Sequence, residues 1–241
     1  MSRSKDDLFA TTRWSVVLRA GQADTPRAAE ALTELCRTYW YPLYVYIRSR
    51  GHGSHDAEDL TQGFFAKLPR LESLADVSRE KGKFRAFLLA ALKNYLIDQW
   101  HKASAQKRDQ RQTISLDAAT AEARYAMEPV DTLTPERLFE RQWALTLLDT
   151  VMHGLAEEYE QAGRGELFRT LRYSIAGEKN AVPYRDLAAK LNVSEEAVRV
   201  AVHRLRKSYR RVLKQEIAHA VTDADEVEDE LNSLRRILSE T

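Results

Sequence analysis

Hydrophobic residues recur three and four positions apart through most of the 241-residue chain, which is the spacing of one face of an α-helix. The clearest case is the segment 184–217. Asn192-Val193-Ser194 divides it, and Asn tolerates left-handed backbone while Ser194 is a good N-cap. The apolar positions are Leu187, Ala188 and Leu191 before this break, and Val198, Val202, Leu205, Tyr209 and Val212 after it. The pattern predicts a helix, a tight turn and a longer amphipathic helix.

The longer predicted helix has a strongly basic outer surface, because no acidic residue occurs between Glu196 and Glu216. Its basic residues are Arg199, His203, Arg204, Arg206, Lys207, Arg210, Arg211 and Lys214. A helix-turn-helix with such a second helix suits the major groove of DNA. The alternative is an ordinary helical hairpin with a solvated basic face. The agreement between turn, cap, apolar stripe and charge favours nucleic-acid binding.

Two helices of different surface character are predicted in the first half of the chain. The first follows Gly51-His52-Gly53, with Ser54 as its predicted cap and Asp56, Asp59 and Gln62 on its outer surface. The second is longer, and its apolar positions are Phe84, Phe87, Leu88, Ala91, Leu92, Tyr95, Leu96 and Trp100. Its other side carries Arg85, Lys93, Asn94, Asp98 and His101. Such a helix either holds a nucleic-acid backbone and stacks unpaired bases, or is a core helix with a solvated polar face.

These elements predict an all-α fold with two small helical domains joined by a linker. Residues 1–112 form the first domain, with an N-terminal helix that begins near Thr12. Residues 113–134 lose the periodicity and are the predicted linker. Residues 135–218 form the helix-turn-helix domain, with Pro135 at the start of a helix. Residues 219–241 are an acidic amphipathic extension, which could pack on a neighbouring domain of the same chain.

Composition limits the classes of function. The chain is 44% hydrophobic and 30% charged, and 37 basic residues against 36 acidic residues leave a net charge of +1. The charges are segregated, so the local field on the basic helix is positive although the total is near zero. No apolar run approaches the roughly 20 residues that span a bilayer, and the segment 1–7 is too polar for a signal peptide. Cys36 is the only cysteine, which excludes an intrachain disulfide and fits the reducing cytoplasm. We predict a cytoplasmic protein with no membrane association.

Three stretches in order resemble the extracytoplasmic-function (ECF) sigma factors of RNA polymerase. DAEDLTQGFFAKL resembles the polymerase-clamp-binding helix of the second conserved region. FRAFLLAALKNYLIDQWHKAS resembles the adjoining helix that melts the promoter and reads the minus-ten element. VPYRDLAAKLNVSEEAVRVAVHRLRKSYRRVL resembles the fourth region, which reads the minus-thirty-five element. The resemblance implies a region 2-like bundle and a region 4-like helix-turn-helix bundle.

The resemblance also implies roles for individual residues and partners. Asp56, Asp59 and Gln62 would meet the polymerase clamp, and the second domain would meet the flap. The implied DNA-binding residues are Asn94, Asp98 and Lys83 at the minus-ten element, with Lys83 in a base-holding loop at 78–83, and Arg199, Val200, His203, Arg204 and Lys207 at the minus-thirty-five element. Promoter DNA is the second partner, and an anti-sigma factor is left open. No catalytic residue, metal or cofactor is implied, and the acidic extension is predicted to restrain a DNA- or polymerase-binding face.

Two other functions compete with this interpretation. A helix-turn-helix repressor or activator would bind a palindromic site as a dimer and ignore the polymerase. An enzyme would need a site, and His52, His55 and Asp56 form the best candidate metal-ligand set. No further His or Cys cluster completes that set, and we find no nucleophile elbow or phosphate-binding glycine loop. The sequence therefore favours a transcription factor that is not an enzyme.

Overall fold

The computed structural model describes residues 26–68, 84–105, 118–128, 133–175, 182–218, 221 and 226–239. All regular elements in these ranges are helical, which confirms the all-α prediction. The helices are α1 (Pro26–Ser49), α2 (Ser54–Lys67), α3 (Phe84–Ala105), α4 (Ala118–Tyr125), α5 (Pro135–Gln161), α6 (Gly165–Leu171), α7 (Tyr184–Leu191), α8 (Glu195–Ala218) and α9 (Glu226–Ser239), with a 3-10 turn at Arg172–Ser174. The predicted N-terminal helix and the loop at 78–83 lie outside the described residues. None of the described helices combines the length and apolar character that a membrane crossing requires.

The chain divides into two compact units. Unit 1 consists of Met1–Leu145 together with Ala218–Thr241, and unit 2 is Thr146–Ile217. The division falls inside α5 rather than within the predicted linker, residues 113–134, and the C-terminal extension belongs to unit 1. Unit 1 is therefore discontinuous in sequence, because the residues of unit 2 come between its two segments along the chain.

The second half of α1 is the centre of the unit 1 core. Every residue from Thr38 to Ile47 is buried, as expected for a helix that is covered on all sides. The indole of Trp40 stacks on the ring of Tyr44 at a centroid distance of 5.2 Å. The aromatic cluster is thus part of the core. Helix α1 ends at Ser49, shortly before Gly51, whose φ of +92° is readily adopted only by glycine.

Helix α4 packs in unit 1 through polar contacts. The Glu122 carboxylate accepts hydrogen bonds from Arg48 Nε and Nη2 at 2.9 and 2.6 Å, and from the Tyr44 hydroxyl at 2.5 Å. Three residues after α4, Glu128 accepts a hydrogen bond from Arg141 at 2.6 Å. The linker is predicted because the hydrophobic periodicity is lost in this part of the sequence. Ionic contacts such as these do not require an apolar stripe, so the loss of periodicity does not reveal them.

Gly63 allows α2 and α3 to approach each other closely. A Cβ atom at Gly63 would collide with the hydroxyl of Tyr95 on α3. The ring of Tyr95 packs edge-on against Phe64 at 5.7 Å, and burial raises the pKa of the Tyr95 hydroxyl. The glycine costs helix propensity, but it makes room for this aromatic contact.

Candidate nucleic-acid and polymerase interfaces

The turn between α7 and α8 follows from its sequence. Asn192 has a left-handed backbone with a φ of 53°, and the Val193 N–H donates to the Ala188 carbonyl at 3.1 Å. This arrangement ends a helix with its last carbonyls satisfied. Ser194 Oγ then accepts a hydrogen bond from the Ala197 N–H at 3.2 Å, which is the predicted N-cap. The predicted helix, turn and longer helix are confirmed as structure.

The apolar stripe of α8 forms the core of unit 2, also as predicted. Val198, Val202 and Leu205 are almost completely buried, and Tyr209 is half-buried beside them. Their neighbours in the core are Val151, Leu155, Phe168, Leu171, Leu187 and Ala188. Because one face of α8 is fixed by this core, its opposite face is held in a defined orientation relative to α7.

The exposed face of α8 contains all five residues predicted to contact the minus-thirty-five element. Arg199, His203 and Lys207 follow each other at four-residue spacing, and Val200 and Arg204 form a parallel row. All five side chains are exposed. They therefore share one surface, with four basic groups and one apolar group able to reach the edges of bases and the phosphate backbone.

Two arginines of α8 have protein partners instead. The Arg206 guanidinium donates from Nε and Nη2 to the Ser174 carbonyl at 3.0 and 2.7 Å and is half-buried. Arg211 forms an ion pair with Glu158 at 2.5 Å. The sequence grouped both with the DNA-facing residues, and charge alone could not separate them.

A groove of about 390 Å³ adjoins the start of the exposed face of α8. Val200 and Arg204 line it from α8, opposite Arg164, Tyr159 and Leu167. Val200, with 41% of its surface exposed, thus has apolar neighbours on one side. This environment suits a methyl group of a thymine base better than a polar base edge.

In unit 1, α2 presents the predicted polymerase-binding residues. Asp56 and Asp59 are exposed on the outer face, three positions apart. Gln62 is half-buried, and its amide donates to Glu58 Oε1 at 3.1 Å. Ser54 is the first helical residue, and the cap position is Gly53, which has no side-chain hydrogen bond. The predicted acidic and amide surface is present, and the helix cap lies one residue earlier than predicted.

The predicted minus-ten residues lie on the neighbouring helix, α3. Asn94 and Asp98 are exposed, four residues apart on the same face. Lys67 of α2 lies 3.5 Å from the Asp98 carboxylate, so a base that binds Asp98 has to compete with this lysine. Lys83 lies outside the described residues.

Next to this face, α3 and α1 enclose a basic and aromatic groove of about 540 Å³. The groove is lined by Tyr46, Arg50, His52, Lys93, Leu96, Ile97, Trp100 and His101. Trp100 continues the helical spacing of the apolar residues of α3, and 68% of its surface is exposed. Lys93 bonds Glu136 at 2.8 Å, which raises the pKa of Lys93 and lowers that of Glu136.

The candidate metal ligands do not form a cluster. The His52 backbone carbonyl accepts a hydrogen bond from Arg48, while His55 and Asp56 are exposed on α2. Within the described ranges, no group of three or more His, Cys, Asp or Glu side chains could hold a metal ion.

Comparison with known families identifies the domain that contains α2 and α3. Residues 36–106 match the family Sigma-70 region 2, a range that takes in α2, α3 and most of α1. Residues 36–106 thus form a Sigma-70 region 2 domain, and such a domain indicates a role in RNA polymerase binding and promoter melting. Comparisons with curated proteins and with solved structures found no match.

Proposed function

We propose that this protein is a sigma factor of the extracytoplasmic-function type, which binds core RNA polymerase and directs it to specific promoters. The main support is the order of two features along the chain. A Sigma-70 region 2 domain occupies residues 36–106, and a capped helix-turn-helix with an exposed basic face follows at 184–218. A repressor has no need for the first feature, which distinguishes the two hypotheses.

In this proposal α2 is the polymerase-binding helix. Asp56, Asp59 and Gln62 contact the clamp, and unit 2 contacts the flap. Asp56 and Asp59 are exposed acids on one face, so they attract a basic partner surface and repel the DNA backbone. The contact therefore contributes orientation and association rate as well as affinity.

Promoter recognition is divided between α3 and α8. Asn94 and Asp98 read unstacked minus-ten bases, and capture of such bases offsets part of the cost of melting. Arg199 and Arg204 reach base edges in the minus-thirty-five element, where a bidentate arginine contact to guanine discriminates by about 1–3 kcal/mol. Lys207 and Arg210 contact phosphates, which contributes affinity but little specificity.

The protein acts by binding and performs no covalent chemistry, so it needs no catalytic residue, metal or cofactor. It works in the cytoplasm, where its polymerase and promoter partners are. An anti-sigma factor that covers the α2 face would inhibit it, because such a protein would compete with the clamp for the same acids.

The test is co-purification with core RNA polymerase, followed by in-vitro transcription from a library of candidate promoters. We expect stable binding and start sites that share two spaced elements. Asp59→Ala should weaken polymerase binding, while Glu157→Ala, which removes an exposed acid of unit 2, should not. Arg199→Ala should relax the minus-thirty-five preference by about 10-fold or more at one position, with Arg169→Ala as the control. A protein that shifts specific DNA but ignores polymerase would refute the proposal in favour of a repressor.

A further inference from the structure

The groove between α1 and α3 has two cations placed over one buried aromatic ring. The Tyr46 ring is buried, and the Arg50 guanidinium and the Lys93 ammonium lie 5.9 and 6.0 Å from its centroid. Arg50 also donates a hydrogen bond to the Tyr46 hydroxyl at 3.2 Å. The ring therefore helps to hold both positive charges at the groove, where they can attract a phosphate group.

The α3 side of the same groove is an apolar surface that is open to solvent. Trp100 and Ile97 line the groove, with 68% and 55% of their surface exposed. The ring of Trp100 meets that of His101 at a centroid distance of 5.1 Å. An exposed indole beside fixed cations is the combination with which proteins stack unpaired bases and hold the backbone that carries them.

The groove continues the row of residues that we propose to read the minus-ten element. Asn94, Asp98 and His101 repeat at four and three positions and are all exposed, so they share one face of α3. His101 is also part of the groove. A strand whose bases reach Asn94 and Asp98 therefore comes to Trp100 within about one further turn of helix.

The openness of the groove favours a nucleic-acid strand over a free nucleotide. Sites for free small ligands bury most of the surface of the ligand, whereas most of the Trp100 side chain faces solvent. A duplex is also a poor fit, because its bases stack on each other and present no free face to an indole. Single-stranded nucleic acid satisfies both the aromatic and the charged side of the groove.

The C-terminal helix α9 leaves this surface open. Glu230 of α9 forms a buried ion pair with Arg85, a residue that the sequence groups with the solvated side of α3. Arg85 precedes Trp100 by roughly 22 Å along the helix axis. Trp100, Asn94 and Asp98 are all exposed with α9 in place. Any restraint of DNA binding by the extension, which the sequence predicts, therefore does not act by covering these three residues.

We propose that the groove is a stacking site for one unpaired base of the promoter, next to the bases that Asn94 and Asp98 read. Trp100 stacks on this base, and Arg50 and Lys93 attract the phosphates beside it. The inference rests on the proposed function for the source of the strand, which is the opened promoter. Because every base has a face that can stack, the site adds affinity for opened DNA without a preference for one base.

Glu136 is an internal competitor beside the groove. Its carboxylate, in the first turn of α5, pairs with Lys93 at 2.8 Å. The hydrogen bond from Lys93 and the charge of Arg50 both lower the pKa of Glu136. A phosphate that approaches Lys93 has to displace this carboxylate, but the pair is exposed and therefore weak. Loss of the Glu136 charge should strengthen binding, whereas loss of Trp100 should weaken it.

The first experiment measures binding of the full-length protein to a short single-stranded DNA by fluorescence anisotropy. Excess duplex DNA is present to occupy the basic face of α8. We expect Trp100→Leu to lower the affinity by about 5-fold or more, the factor that corresponds to stacking of one base, and Trp100→Phe to lose much less. Glu136→Gln should raise the affinity by up to about 5-fold. Tyr173→Leu, which removes an exposed aromatic side chain of unit 2, is the control and should bind as the parent protein does.

Three results would overturn the inference. The first is a Trp100→Leu variant that binds as tightly as the parent protein, and the second is a Glu136→Gln variant that binds more weakly. The third is displacement of the strand from the parent protein by a mononucleotide at equal concentration, which would make the groove a site for a free nucleotide. Tighter binding of an RNA of the same sequence would refute the assignment to promoter DNA.

The second experiment places one abasic nucleotide at successive positions of a premelted promoter and measures binding of the complex with core polymerase. In the parent protein, one position beside the minus-ten bases should lose affinity when its base is absent. In Trp100→Leu the same position should be insensitive, because the stacking partner is already missing. If the complex transcribes but no position depends on Trp100, the inference fails and the proposed function stands. If the protein ignores polymerase while strand binding still depends on Trp100, the proposed function fails and the stacking site stands.

Discussion

Arg206 and Arg210 lie four residues apart on α8, and we predict that they have opposite roles. The Arg206 guanidinium is half-buried and donates two hydrogen bonds to the Ser174 carbonyl. The Arg210 side chain is exposed, with no ion pair or hydrogen bond recorded among the described residues. We expect Arg206→Ala to destabilise unit 2 and Arg210→Ala to weaken DNA binding.

The magnitude for Arg206 follows from the geometry. Both hydrogen bonds go to one carbonyl, so they count as a single interaction with a charged group, worth about 1.5–3 kcal/mol. Ser174 is buried, and its carbonyl loses these two bonds when the arginine is removed. We therefore expect Arg206→Ala to lower the stability of unit 2 by roughly 2–3 kcal/mol, and the exposed Arg210→Ala by less than about 0.5 kcal/mol.

Amide hydrogen exchange of residues 198–212 is the appropriate stability assay, because it reports the local free energy of opening. The four tryptophans lie at positions 14, 40, 100 and 143, all within unit 1, so their fluorescence does not report on unit 2. DNA binding is measured at several salt concentrations. Loss of one phosphate contact should reduce the slope of log affinity against log salt by about 1 for Arg210→Ala.

The opposite pattern would refute this reasoning. If Arg206→Ala leaves exchange unchanged and reduces the salt slope as much as Arg210→Ala does, Arg206 contacts phosphate and the Ser174 bonds contribute nothing measurable. Arg206→Lys is an informative intermediate, because a lysine retains the charge but cannot donate in the geometry of the guanidinium. It should keep the salt slope of the parent protein and still show the loss of stability.

Three further predictions concern local stability. Gly63→Ala should destabilise unit 1 by about 1–3 kcal/mol through collision with Tyr95, as measured by denaturant unfolding. In a Tyr95→Phe background the same change should be neutral or stabilising. Ser194→Ala should cost about 1 kcal/mol in the exchange stability of α8, because it removes an N-cap. The hydrogen bonds from Arg48 lower the pKa of Glu122 in the folded protein. The stabilisation from Glu122 is therefore complete above its pKa in the unfolded state, near 4.5. It is lost as the pH falls through the lower pKa of the folded state. The difference in stability between the parent protein and Glu122→Gln should therefore shrink below about pH 4, and a constant difference down to pH 3 would contradict this.

The elements that follow from local rules could be predicted from the sequence. The turn at Asn192 and the cap at Ser194 depend on the backbone preferences of the residues themselves. The stripe through Val198, Val202 and Leu205 depends only on helical spacing. These rules act within about one turn of helix, so they need no knowledge of the rest of the fold.

The features that could not be predicted depend on distant partners. Arg85 and Arg206 have the same charge as the exposed arginines. Distant partners, such as Glu230 for Arg85 and the Ser174 carbonyl for Arg206, give them structural roles. Trp100 continues an apolar pattern, but periodicity alone does not show that its side chain is exposed. The division inside α5 likewise follows from contacts made by residues far apart in sequence, which a local composition change cannot reveal.

The near-zero net charge is compatible with two partners because the charges are separated by surface. In the proposed function, exposed acids on α2, such as Asp59, repel phosphate and so keep DNA away from the polymerase-binding surface. The exposed bases of α8 attract phosphate, and screening over about 8 Å at physiological salt limits the influence of more distant acids on them. The net charge of +1 is thus compatible with two local surfaces of opposite charge. A variant that neutralises both surfaces equally would keep the same net charge and lose both partners, whereas a single-surface variant should lose only one.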